Sequence, residues 1–306
     1  MAAIDLFVIA KRLKVWSIAF LLCKGLLLGE SIRLATYNLD NYLVMDRYVS
    51  GTWRKSYPKP ELEKAAIRGV IKQAMPDILA LQEIGPASFL KELKEDLAQE
   101  GIVYSHSVHM KGDDSVRHLA VLSKVKPVEV VRHRDLEINY QNRREFVKRG
   151  MLELSFEQSD GKVFKLFVVH LKSRWTNVES DPKSLQRRTL EAEACRNVII
   201  ERTFDLGIAD FMITGDFNDH PESAPLRRFY QRGDLKIGTL VPASDSRGDH
   251  WTHYYSRKVV YSLVDGFIAS ESLFLNIEDR RGHIVDVPNV LEGSDHRMVH
   301  LNLIQL

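Results

Sequence analysis

Apolar and polar positions along the chain fall into two kinds of segment. Residues 32–37 form a short β-branched and aromatic run ending on Asn38, which predicts a first strand. Pro58 and Pro60 lead into 61–74, where Leu62, Ala65, Ala66, Val70 and Ile71 recur at helical spacing behind an acidic first turn, which predicts a helix. Pro76-Asp77 turns the chain into Ile78-Leu79-Ala80-Leu81, an unbroken apolar run of the kind buried on both faces of a sheet. Residues 86–100 predict an amphipathic helix closed by Gly101. Residues 151–156 alternate, Asp160-Gly161 offers a hairpin turn, and 163–170 alternate and then run apolar, an antiparallel pair. A long helix is expected over 185–204, with Leu190, Ala194, Val198 and Ile199 toward the core, and further strands over 210–214, 261–269 and 298–304.

Strands alternate with helices early and an antiparallel hairpin follows. That order argues for mixed sheets covered by helices in one α/β domain, although 306 residues would also suit two smaller ones. The 44% hydrophobic content supplies a sizeable core, and two cysteines exclude a disulfide scaffold or a Cys-rich zinc module. Four basic and two acidic residues in 1–31 account for the net charge of +2; the rest holds 39 of each sign. A polyanion would therefore be met by a local patch or a metal, not by bulk attraction. Residues 132–149 are locally basic (Arg132, Arg134, Arg143, Arg144, Lys148, Arg149) and read as a loop, either a solvated face or a phosphate-binding rim.

Lys11-Arg12-Leu13-Lys14 precedes a largely apolar run to Leu28, and Gly29 and Ser31 are small. This reads as a secretory signal, too short for a comfortable membrane span, cleaved after Ser31. The division is then 1–31 signal and 32–306 catalytic domain, exported to a periplasm or medium without a transmembrane anchor. Lys24 interrupts the run, so an N-terminal helix on a cytoplasmic protein stays open as the alternative.

Chemistry-bearing residues follow the apolar runs. Asn38 ends the first strand, Gln82-Glu83 the second, and His170 ends 163–169. Asp216 and Asn218 follow Gly215, Asp265 follows 261–264, and Asp295-His296 precedes 298–304. Ligand chemistry in α/β proteins collects where strand ends meet loops. Each residue alone has a plain structural reading as a cap, a turn or a core histidine; together they form a constellation. The donors are carboxylates, carboxamides and imidazoles without thiolates, which suits Mg²⁺ or Mn²⁺ better than zinc.

Six segments carry a family resemblance: Ala35-Thr36-Tyr37-Asn38-Leu39, Pro76 to Glu83, Val169-His170-Leu171-Lys172-Ser173, Gly215-Asp216-Phe217-Asn218, Leu263 to Ile268, and Gly293-Ser294-Asp295-His296. In this order they resemble the endonuclease/exonuclease/phosphatase (deoxyribonuclease-I-like) superfamily, particularly bacterial members. The resemblance implies a four-layer α/β/β/α sandwich with two packed mixed β-sheets, and divalent-metal-dependent phosphoester hydrolysis with Mg²⁺ or Mn²⁺. It makes Glu83 the principal metal ligand, with Asn38, Asp295 and Asp40 on the metal side. Asp216 would orient or deprotonate the attacking water, with Asn218 as the partner that holds the phosphate and water. His296 would contact the scissile phosphate, oriented by Asp265. His170 would serve the leaving side, and Arg149 would contact phosphate.

The superfamily spans several substrate classes, and fold does not choose among them. Trp53, Trp175 and Trp251 with the basic 132–149 segment suggest a strand-binding rim, the alternative being that Trp175 and Trp251 are packing residues. The absence of a long apolar hairpin in the pattern disfavours a lipid substrate. Nucleic acid is the expected substrate, with a nuclease of endonuclease type as the reading. A phosphatase for a small phosphorylated or lipid-derived substrate, or a non-catalytic binding module, are the alternatives. No stable protein partner is inferred.

Overall fold

The structure is a computed structural model that describes residues 31–304. The expected signal segment lies almost wholly outside the described residues. Among those residues no helix is long and apolar enough to cross a membrane.

Two mixed sheets face each other. The first has seven strands, in the order Ala243–Ser244, Gly282–Ile284, Val299–Leu303, Ile32–Tyr42, Ile78–Ile84, His118–Ser123, His106–Met110. The second has six: Thr239–Leu240, Asp265–Ala269, Phe211–Asp216, Val163–His170, Met151–Glu157, Glu129–His133. Ile32–Tyr42 runs parallel to Ile78–Ile84, and Val163–His170 parallel to Phe211–Asp216.

Alternation along each central strand explains the layering. Leu34, Ala80, Leu166 and Val168 point into the core between the sheets. Ala35, Leu79 and Leu81 point outward, against Ile67, Val70 and Ile71 of the Glu61–Ala74 helix and Leu93 and Leu97 of the Ala87–Gln99 helix. Phe167, Val169 and Ile213 point outward on the other side, against Ile199 of the Leu185–Arg202 helix and Phe229 of the Ala224–Tyr230 helix. Both faces of each central strand are covered, so these strands read as continuous apolar runs. The four-layer α/β/β/α sandwich is the observed architecture.

Several boundaries and faces differ from the sequence reading. Leu62 is solvent-exposed; the buried face of its helix is Lys64, Ile67, Arg68, Val70, Ile71 and Ala74, and Lys64 and Arg68 belong to it because they ion-pair with Glu92 and Asp96 of the neighbouring helix. The expected strand 261–269 is two elements, a hairpin arm Val260–Ser262 paired with His253–Tyr255 and the sheet strand Asp265–Ala269. The basic segment 132–149 is not a loop. It holds the hairpin Glu137–Tyr140/Arg143–Phe146, and much of its charge is spent locally. Arg144 pairs with Glu137, Lys148 with Asp113 at 2.7 Å, and Arg149 with Asp114 at 3.2 Å.

An ion network closes the outer edge of the second sheet. Glu153 is fully buried and binds Lys165 Nζ at 2.5 Å, His133 Nε2 at 2.8 Å and Arg202 Nε at 3.0 Å. Burial opposes its ionisation, but these three partners outweigh it and hold the carboxyl down to about 2. Glu153→Ala leaves the buried Lys165 with only the half-exposed Glu129 at 3.2 Å and Ser155 Oγ at 3.0 Å, and is expected to cost up to about 3–5 kcal/mol in urea unfolding at neutral pH. Because the folded value lies below the ordinary 4.5, this stabilisation is complete above pH 4.5 and lost as pH falls toward 2. Glu153→Gln should therefore flatten the decline of the urea midpoint over that window.

Candidate active site

Strand register builds one half of the site. His170 stands opposite Asp216 across the parallel ladder, and Asp216 opposite Asp265 across the antiparallel one. The close approach needs glycine before Asp216. Gly215 has φ +137°, and a Cβ there would lie 1.9 Å from the Val169 carbonyl oxygen.

A bulge builds the other half. Pairing of Ile78–Ile84 with its neighbours is regular to Gln82 and then shifts, leaving Glu83 unpaired at φ 60°. Asp40 (φ 43°) and Asn41 (φ 59°) break the end of the adjacent strand in the same way. Left-handed backbone at such residues costs about 1–3 kcal/mol each. Here it turns the Asn41 N–H onto Glu83 Oε2 at 3.0 Å and the Asp40 N–H onto Asn38 Oδ1 at 3.0 Å.

The two halves meet at Asp216. Asn38 Nδ2 donates to Asp216 Oδ2 at 3.0 Å from the opposite sheet. Asn218 donates its backbone N–H to Oδ1 at 2.8 Å and Nδ2 to Oδ2 at 3.1 Å. His170 Nε2 lies 3.4 Å from Asp216 and 3.8 Å from Glu83. His296 Nδ1 donates to Asp265 Oδ2 at 2.8 Å, while its Nε2 stands 3.9 Å from Asp216 and 3.8 Å from Asp295. Ser294 Oγ donates to the Asn38 carbonyl at 2.7 Å and accepts the His296 N–H at 3.0 Å, locking the last loop onto the first strand. The structure thus brings Asn38, Glu83, His170, Asp216, Asn218, Asp265, Asp295 and His296 to one mouth. Asp40 sits at its edge, where it accepts from Asn41 Nδ2 at 2.8 Å and faces Lys59 at 3.9 Å.

The field at this mouth is strongly structured. Burial first, and then Asp265, push the Asp216 carboxyl up to about 7 against His296, Asn218 and Asn38. Burial opposes charge on His296, but Asp265, Asp216 and Asp295 outweigh it and hold the imidazole well above its ordinary range. Burial, followed by Arg149, His296 and Arg117, drives His170 well below that range, and both its ring nitrogens are buried without a partner. Burial raises Glu83 and Asp40 adds to it, against Arg117 and Arg149. A divalent cation would relieve this cost. Glu83 and Asn38 offer hard oxygen donors, with the Asp40 and Asp295 carboxylates flanking, so the residues fit Mg²⁺ or Mn²⁺. Among the described residues, ligand atoms of Asp216, Asp265 and His296, and of His253, Asp295 and His296, cluster within 4.8 Å.

Arg149 is nearly buried, and beyond its contact with Asp114 its Nη1 has no hydrogen-bond partner. Trp53 and Trp175 are about three-quarters exposed. Trp251 is instead a packing residue, with the Arg297 guanidinium 4.3 Å from its ring centroid and Tyr261 at 4.9 Å.

Three features escaped sequence reading. Arg117 reaches Glu83 at 3.5 Å. His253 faces Asp295 at 3.5 Å. The Leu185–Arg202 helix buries Arg187, Arg188 and Glu191 beneath the site. Arg188 donates Nε and Nη2 to Asp219 at 3.0 and 2.8 Å and Nη1 to the Lys172 carbonyl at 2.9 Å. Glu191 accepts the backbone N–H of Lys172 at 2.8 Å and of Lys148 at 3.2 Å. One helix therefore ties down the loops after His170 and Asp216 and the segment before Arg149. The available signal was phase: Arg188, Glu191, Cys195 and Ile199 share one helical face.

A family model described as the Endonuclease/Exonuclease/phosphatase family matches residues 35–296. No curated protein matches the chain in sequence. Among solved structures, an endonuclease/exonuclease/phosphatase family protein from Bacteroides thetaiotaomicron is similar at TM-score 0.62 and 18% identity, covering 91% of this chain and 99% of that one. The human Nocturnin catalytic domain with bound sulfate anion is similar at 0.61 and 16%, covering 90% and 95%. Truncated Caenorhabditis elegans TDP2 is similar at 0.58 and 14%, covering 90% and 98%.

Arg188→Met would leave Asp219 buried and short of its main partner. It is expected to cost about 3–5 kcal/mol in thermal unfolding. It should also lower turnover of any substrate at temperatures where the variant is fully folded.

Proposed function

Because the chain belongs to the endonuclease/exonuclease/phosphatase family, whose members hydrolyse phosphoester bonds, we propose that it is a Mg²⁺- or Mn²⁺-dependent phosphodiesterase acting on nucleic acid, most consistent with an endonuclease exported from the cell. The observation that carries the reading is the buried Asp216 carboxylate, held by donors from both sheets and faced by two histidines.

Asp216 is the base. Asn38 and Asn218 fix its two oxygens, so the carboxylate keeps one orientation toward an attacking water. A folded value near 7 suits proton removal close to neutral pH. His296, kept cationic by Asp265, presents Nε2 as a donor to the phosphate oxygens, and Asp265 fixes its tautomer through Nδ1. Asn218 gives its backbone N–H and both Nδ2 hydrogens to Asp216 and the Leu171 carbonyl, so its part is to hold the base rather than the phosphate. His170 stays neutral and keeps an N–H for the leaving oxygen. The free Nη1 of Arg149 supplies a further phosphate contact. Glu83 and Asn38, with Asp295 and Asp40, would hold the metal, which when bound offsets charge on the phosphate.

A polynucleotide is favoured over a small phosphate ester by the exposed aromatic surface near the mouth. The hairpin Met45–Val49/Thr52–Tyr57 directly follows the Asn38 strand and exposes Tyr48 and Trp53, whose rings meet edge-on at 5.8 Å. Trp175 lies five residues beyond His170, beside Arg174. Such rings stack on bases at about 1–3 kcal/mol each.

Plasmid DNA, RNA, inositol phosphates and a lipid phosphodiester, each with Mg²⁺ and with chelator, test the reading. Nucleic acid should be cut, with chelation abolishing and Mg²⁺ or Mn²⁺ restoring activity. Exclusive turnover of a small ester or lipid overturns the substrate, and full activity in excess chelator overturns the metal dependence. Asp216→Ala and His296→Ala should each lose about 10²–10⁴ in rate while keeping the fold by circular dichroism. Trp53→Ala with Trp175→Ala should raise KM for single-stranded DNA with little change in kcat.

A further inference from the structure

We propose that His253, Asp295 and His296 form a second cation site at the mouth, selective for zinc-class ions, and that filling it switches hydrolysis off. The inhibitory half rests on the function proposed above; the binding half stands on geometry alone.

The ligand atoms are already gathered. His253 Nε2 lies 3.5 Å from Asp295 Oδ2, and His296 Nε2 lies 3.8 Å from Asp295 Oδ1. Both nitrogens and the carboxylate fall within 4.8 Å of one another. Donors about 2.1 Å from a tetrahedral zinc ion stand roughly 3.4 Å apart, so small side-chain rotations close the set. The backbone holds it in place. His253 and His296 pair in an isolated antiparallel bridge, and the Tyr254 N–H donates to the Asp295 carbonyl at 2.9 Å.

The outer contacts are those of a metal site. A ligating histidine commonly donates its other ring nitrogen to an oxygen that fixes tautomer and orientation. His296 Nδ1 has Asp265 at 2.8 Å, and His253 Nδ1 has Ser262 Oγ at 3.2 Å. Both Nε2 atoms are thereby directed to the shared carboxylate. His253 and Asp295 keep side-chain exposures of 23% and 46%, which leaves an approach for the ion and for a fourth ligand. A metal on His296 Nε2 takes the place of the proton there, which is released to solvent.

Selectivity follows from the donors. Two imidazoles and a carboxylate suit Zn²⁺ and Co²⁺, whereas Glu83 and Asn38 offer only hard oxygens suited to Mg²⁺. The consequence is exclusive use of one atom. A metal on His296 Nε2 removes the donor that would meet the phosphate.

The test uses the full chain stripped by chelator. Titration with Co²⁺ alone, in excess Mg²⁺, should produce visible absorption from a low-symmetry site, and calorimetry with Zn²⁺ should show one site. His253→Ala should weaken both at least tenfold with an unchanged melting curve; Asp295→Asn should weaken binding independently. In Mg²⁺, Zn²⁺ should inhibit the wild type, while His253→Ala keeps its basal turnover and needs at least tenfold more Zn²⁺. Unchanged Zn²⁺ affinity in both variants, or no binding to the wild type, overturns the site. Binding without inhibition of an active enzyme overturns the switch. If no phosphoester is cleaved, the functional reading fails while Co²⁺ and Zn²⁺ titrations still decide the site.

Discussion

A buried carboxylate can exist only where enough donors surround it, and in this protein the donors come from two different sheets. Asp216 takes hydrogen bonds from Asn38 on one sheet and from its own loop on the other. Left without them, the carboxylate would face the cost of burying an unpaired charge. The sheets therefore cannot slide or splay at this end without exposing that cost. The rest of the mouth inherits the constraint. The loop carrying Ser294, Asp295 and His296 is fastened to the Asn38 carbonyl, and His170 stands in register beside Asp216.

Local strain is the counterpart of that assembly. Asp40, Asn41, Glu83 and Asn218 all adopt left-handed backbone within the site. Regular pairing would carry Glu83 onward in the ladder; the bulge breaks it and offers the carboxylate toward the mouth. Stability is surrendered in the same few residues that hold the chemistry, and the two apolar layers under the helices, with the core between the sheets, offset it.

Much of this was legible because both faces of the central strands are buried. Continuous apolar runs ending on Asn38, Glu83, His170 and Asp216 announced strands and site together. What escaped reading has physical reasons. The 132–149 segment looked like a charged loop because its pairing partners, Glu137 and Asp113 among them, are acids whose geometry a linear pattern hides. Trp175 and Trp251 are alike in sequence terms, yet one is exposed and the other lies against Arg297. His253 carried no signal, since its meaning depends on a bridge to a residue 43 positions away. The roles proposed for the site residues rest on geometry and resemblance; their convergence at one mouth is what the fold supplies.

The Leu185–Arg202 helix is mounted at two separated points. Near its start, Arg188 and Glu191 grip the floor of the mouth; at its end, Arg202 grips Glu153 at the far edge of the sheet. A slip of one turn would unpair every one of these charges at once. The helix thus behaves as a beam pinned at both supports, and the floor beneath the reacting groups is as stiff as that beam. Adaptation to ligands of different width must then come from the Met45–Val49/Thr52–Tyr57 hairpin, where none of these pairs acts; the Glu137–Tyr140/Arg143–Phe146 hairpin is itself tied to the beam through Arg187 and Glu145.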